Sequence, residues 1–174
     1  MRLLLDKVVA RRILIGLFSL AQDRPLTTAD RIALDLFQQC VQLEHQLYVV
    51  PPIANVVRRI NQAAYQPIID LFLGQTQVIQ PARYTLRWAR RLRDAGFSRE
   101  DAAVLALGTF GTDVQAGILG VHFVATQDQR LINNWIVRHE QIQTRLMVMQ
   151  QELPSPYRDA VLPKVLPPEW VPLG

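Results

Sequence analysis

The chain has 174 residues, 49% of them hydrophobic and 20% charged, so it can bury one core and is too apolar to be intrinsically disordered. Its net charge of +4 permits a polyanionic partner without requiring one. No apolar run reaches the roughly 18 residues of a membrane helix, the start MRLLLDKVVARR sets charges on both sides of a short apolar segment, unlike a secretory signal, and the single Cys40 excludes an internal disulfide. A cytoplasmic protein with no membrane partner is expected.

Leu3 to Leu5 form a brief apolar run ending at Asp6, and Val9, Ile13, Leu17 and Leu20 then recur at helical spacing, which predicts a strand followed by a helix. Thr27, Thr28, Ala29 and Asp30 read as a helix start with a carboxylate in its first turn. Ile32, Leu36, Cys40, Leu43 and Leu47 continue one apolar face, on which Cys40 is a small core residue. Leu47 to Val50 is short and β-branched and predicts a strand, which Pro51 and Pro52 end while leaving a helix free to begin at Ile53. A further helix is expected around Pro67, and a short strand at Gln77 to Ile79 before Pro81.

Between Arg83 and Ala95, Tyr84, Trp88, Leu92 and Ala95 share one stripe, while Arg83, Arg87, Arg90, Arg91 and Arg93 take the other side. The aromatics lie on the stripe that would be buried, so the arginines read as a solvated helix face rather than a base-stacking surface. Gly96 stops this helix, Ser98 starts the next with Asp101 three residues on, and Val121 to Ala125 supplies a last strand. Alternating strands and helices imply an α/β three-layer fold, a mostly parallel central sheet flanked by helices. The final stretch PSPYRDAVLPKVLPPEWVPLG holds six of the eleven prolines. Residues 151–174 are therefore expected to be an extended tail packed on the body or on a second subunit, not another element. His45, His122 and His139 have no metal-ligand spacing, and no phosphate-binding glycine loop is present.

Three acids fall at element borders. Asp6 follows the first strand, Asp128 follows the last, and in an open parallel sheet the carboxyl ends of the strands form the edge where ligands bind. Asp101 opens a helix that a short connection can bring to the same edge. Converging carboxylates repel one another and call for a hard divalent cation such as Mg²⁺ or Mn²⁺, which activates water and neutralises a phosphate. Each acid also has a capping role open to it: Ser98 with Asp101 as a capping box, Asp128 in the first turn of the helix through Leu131 and Trp135, and Asp6 as an acceptor for turn amides.

LLLD at the start, REDAAVLALG from Arg99 and FVATQD from Phe123 together resemble the PIN domain, a family of metal-dependent nucleases found in bacterial toxins of the VapC type and in many RNA-processing proteins. The resemblance runs from Met1 to about Asn134, and its most specific part is an acid-Asp-Ala helix start followed by a strand ending in Thr-x-Asp. It implies a PIN-like domain over residues 1–150 followed by a Pro-rich extension over 151–174. It also implies a metal site whose aspartates are Asp6, Asp101 and Asp128, oriented by the Thr126 hydroxyl. The family's glutamate, on the helix after the second strand, falls at Asn55, which offers a cation a carbonyl oxygen without charge. The family's Thr-Asn-Val after the first aspartate is replaced by Lys7, Val8 and Val9. The activity implied is that of a Mg²⁺- or Mn²⁺-dependent endoribonuclease, as in the toxin of a toxin–antitoxin pair. The alternative is a weak or inactive PIN-like module. The partners that go with either are RNA, an antitoxin-like protein and a second copy in a homodimer.

Overall fold

In the computed structural model, which describes residues 1–173, Leu3, Leu4 and Leu5 expose no surface. A strand buried on both faces belongs in the interior of a helix-covered sheet. That strand, β1 (Arg2–Leu5), pairs in parallel with β2 (Gln46–Val49) on one side and with β7 (Phe123–Ala125) on the other. β3 (Thr76–Val78) and β8 (Lys164–Leu166) extend the flanks, giving the order β3-β2-β1-β7-β8 with every pair parallel. The fold is α/β with three layers, as expected. A small antiparallel sheet of β4 (Gln80–Pro81), β5 (Gly111–Asp113) and β6 (Ile118–Leu119) lies apart from the central one.

The flanking helices are α1 (Lys7–Ala21), α2 (Thr28–Gln42), α3 (Pro51–Arg58), α4 (Gln66–Gln75), α5 (Thr85–Asp94), α6 (Arg99–Phe110) and α7 (Gln129–Gln150). Thr27 caps α2 by accepting the Asp30 amide, and Ser98 caps α6 by accepting that of Asp101. α3 begins at Pro51, two residues before the expected start, because the first turn of a helix has no partner for its amides and loses nothing by being proline. The face through Leu43 and Leu47 is shorter than the spacing predicts. α2 ends at Gln42, Leu43 is 51% exposed, and Leu47 belongs to β2. On α5, Trp88 and Leu92 are buried as expected, and Arg87 ion-pairs with Glu152 at 2.7 Å.

The tail differs from its expected form. Residues 164–166 are a fifth strand of the central sheet, with Val165 buried. Three residues bounded by Pro163 and Pro167 show no periodicity in sequence, yet prolines flanking an edge strand leave its ladder intact. Lys164 donates its amide to His122 O at 2.9 Å, and Leu166 O accepts the Thr126 amide at 3.0 Å. No helix among the described residues is long and apolar enough to cross a membrane.

Candidate functional site

The strand order reverses at β1: the chain steps outward to β2 and β3, then returns to place β7 and β8 on the other side. Connections diverge from such a switch point, leaving a crevice outside the carboxyl ends of the two central strands where open α/β sheets bind ligands. Asp6 directly follows β1, and Thr126 to Asp128 directly follow β7. The ladder continues one step beyond the strands, since Asp6 N donates to Ala125 O at 3.0 Å.

One hydroxyl ties the two loops together. Thr126, fully buried, donates from Oγ1 to Asp6 Oδ2 at 2.8 Å and accepts the Asp128 amide at 3.0 Å. The other Asp6 oxygen accepts the Lys7 amide at 2.6 Å, so Asp6 is the N-cap of α1. Asp128 is in turn the N-cap of α7, its Oδ1 accepting the amides of Arg130 at 2.9 Å and Leu131 at 3.2 Å. Capping therefore accounts for one oxygen of each of these two acids. It does not account for Asp101. The Asp101 amide donates to Ser98 Oγ at 3.1 Å, while its half-buried carboxylate accepts no hydrogen bond among the described residues.

Electrostatics join the three. Burial raises the pKa of Asp6, and the charges of Asp101 and Asp128 push it the same way, against the hydrogen bonds from Thr126 and Lys7. Asp101 and exposed Asp128 line a common cleft of ≈ 300 Å³ with Arg99, Arg130 and Asn134. Asp6 lies outside that lining. Lys7 extends toward Glu100, 3.9 Å away, and both side chains are well exposed. Asn55, on α3, is exposed and does not line the cleft either.

Carboxylate and hydroxyl oxygens are the donors a hard divalent cation prefers. Their spacing is another matter. Among the described residues no three His, Cys, Asp or Glu side chains stand close enough together to hold one ion. The donor set therefore fits Mg²⁺ or Mn²⁺ by chemistry, with Asp101 and Asp128 facing the cleft, while a cation here would rely on water for much of its shell. Sequence reasoning missed the cleft's other lining residues. Arg99 and Arg130 each lie within two residues of an acid, but that α6 and α7 start side by side is a tertiary fact. No protein-family model matches the chain, and no curated protein matches it.

Proposed function

We propose that the chain is a PIN-like, Mg²⁺- or Mn²⁺-dependent endoribonuclease acting at the carboxyl edge of its central sheet. The observation that supports this reading is the Thr126 clamp, which ties the Asp6 carboxylate to the Asp128 backbone at the switch point, together with the adjoining cleft, where Asp128 is joined by Asp101, whose carboxylate accepts no hydrogen bond among the described residues. A bound cation would supply an activated water and neutralise charge developing on a phosphodiester. Asp101 and the second carboxylate oxygen of Asp128 would hold it from the cleft side. Asp6 would contribute field: burial raises its pKa and the charges of Asp101 and Asp128 add to that, and a cation would relieve the second contribution. Thr126 fixes the orientation of the Asp6 carboxylate and of the Asp128 backbone. Arg99 and Arg130 on the cleft wall suit the phosphates of a single-stranded RNA on either side of the reacting bond. A cytoplasmic setting, an antitoxin-like protein partner and a homodimer accompany this reading.

A second reading, a weak or inactive PIN-like module that binds RNA or a protein, has its own support. By the resemblance, Asn55 stands where the family places glutamate, exposed and outside the cleft, and among the described residues no three acids stand close enough to hold one ion. Calorimetry with Mn²⁺ and cleavage of a single-stranded RNA separate the two. The nuclease reading expects Mn²⁺ binding and Mn²⁺-dependent cleavage by the natural chain, with cleavage falling about a hundredfold or more in Asp101→Asn. RNA binding with neither Mn²⁺ heat nor cleavage would establish the binding module instead.

A further inference from the structure

The opposite edge of the same sheet carries a different chemistry. Arg2 opens β1, His122 directly precedes β7 and Lys164 opens β8. A cleft of ≈ 470 Å³ lies among them, with Phe123 and Leu162 in its wall and Asp159 as its carboxylate. Neither Arg2 nor Lys164 has a carboxylate within ion-pairing distance among the described residues.

The contact between Arg2 and His122 is made twice. The Arg2 backbone N–H donates to His122 Nδ1 at 3.0 Å. A backbone amide can only donate, so Nδ1 is the acceptor and a neutral imidazole carries its proton on Nε2. Nε2 nevertheless stands 3.3 Å from Arg2 Nη2, a guanidinium nitrogen that also only donates. Protonating the ring does not resolve this, since it would remove the acceptor at Nδ1. Desolvation, the Arg2 charge and the chain's amino terminus all lower the His122 pKa, which favours the neutral ring. The result is two donors side by side with no acceptor between them among the described residues. Water can accept from both but leaves the charges of Arg2 and Lys164 unneutralised, whereas an oxyanion accepts from both donors and offsets that charge.

We propose that this amino-edge cleft binds a small oxyanion, a phosphate or carboxylate group, whose oxygens bridge His122 Nε2–H and the Arg2 guanidinium while Lys164 supplies the second positive charge. Lys164 reaches the site from the neighbouring strand, its Nζ 6.0 Å from the centre of the Phe123 ring. The Phe123 and Leu162 side chains would contact an apolar body attached to the anionic group. This site stands independently of any reading of the acidic edge.

The test titrates the full chain, ¹⁵N-labelled, with inorganic phosphate and separately with acetate, at ionic strength held constant with chloride, while the imidazole ¹⁵N resonances of His122 are followed. A saturable shift is expected at Nε2, and the tighter of the two anions identifies the group the site is built for. Arg2→Gln and Lys164→Gln should each weaken binding about tenfold with the thermal midpoint unchanged. Arg2→Gln keeps the backbone bond to Nδ1 and hence the tautomer, and the exposed Lys164→Gln carries the test alone if the change at Arg2 disturbs β1. No saturable response of His122 to either anion, or an undiminished response in Lys164→Gln, would overturn the proposal.

Discussion

Asp101 and Asp128 line one cleft and stand at the starts of two helices, but only Asp128 commits an oxygen to its helix. Their removal should therefore have unequal effects. Asp128→Ala deletes a cap that accepts two amides and should cost about 1 kcal/mol, while Asp101→Asn should stay within about 0.5 kcal/mol of the natural chain. Urea denaturation of the two variants checks this, and equal losses would return Asp101 to a capping role. Asp6 adds a pH signature. Its pKa is raised in the folded state, so the folded chain holds the proton more tightly than the unfolded one. The stability contributed by Asp6 is then greatest below the ordinary carboxylate pKa and declines as pH rises through the raised value. Asp6→Asn lacks that decline. Relative to the natural chain, the variant should gain stability as pH rises above the ordinary carboxylate value of 3.8, because the folded-state shift is upward. Denaturation midpoints at about pH 4 and at neutral pH measure it, and a difference that stays constant would mean that folding does not raise the Asp6 pKa.

The junction between α5 and α6 shows what elements ask of single residues. Gly96 takes φ +94°, a backbone region costly to other residues, which turns the chain sharply so that Phe97 is buried against Trp135. α7 closes the end of α5 from outside, with Arg138 Nη1 donating to Ala95 O at 2.6 Å and Arg145 Nη1 to Arg91 O at 3.0 Å. A Cβ on residue 96 would sit 3.0 Å from the Arg138 guanidinium carbon. Gly96→Ala should thus destabilise by about 1–3 kcal/mol through its backbone alone, more if the Arg138 bond is lost. Thermal unfolding tests the size of this effect, and a loss below about 0.5 kcal/mol would show that the turn relaxes freely. Gly96 also lines the acidic cleft, so a shift here would reach the site.

At the scale of the molecule, the tail is tied to the candidate site. β8 covers the outer edge of β7, and Leu166 O holds the amide of Thr126, the residue whose hydroxyl joins Asp6 to Asp128. A chain ending at Gln150 would lose that anchor and leave β7 as an open edge, with its hydrogen-bonding groups ready to pair with another chain. Such a chain should elute as associated species in size-exclusion chromatography and lose any Mn²⁺ response of the full chain. A monomeric, cooperatively folded truncation would show instead that β8 is dispensable.

Sequence alone was enough to place most elements, because their signals are local. Thr27, Ser98 and Gly96 mark helix ends through contacts within one turn, and the stripe through Trp88 and Leu92 repeats at the helical period. The borders that carry Asp6, Asp101 and Asp128 were legible for the same reason. Which borders meet was not. The strand order that sets β7 beside β1, the alignment of the α6 and α7 starts along one cleft, and the position of Asn55 outside it depend on long-range burial that no local period encodes. β8 was hidden because three residues between prolines show no alternation until a neighbouring strand supplies partners. The face-off between Arg2 and His122 joins residues 120 positions apart, which only the parallel packing of β1 against β7 brings into contact.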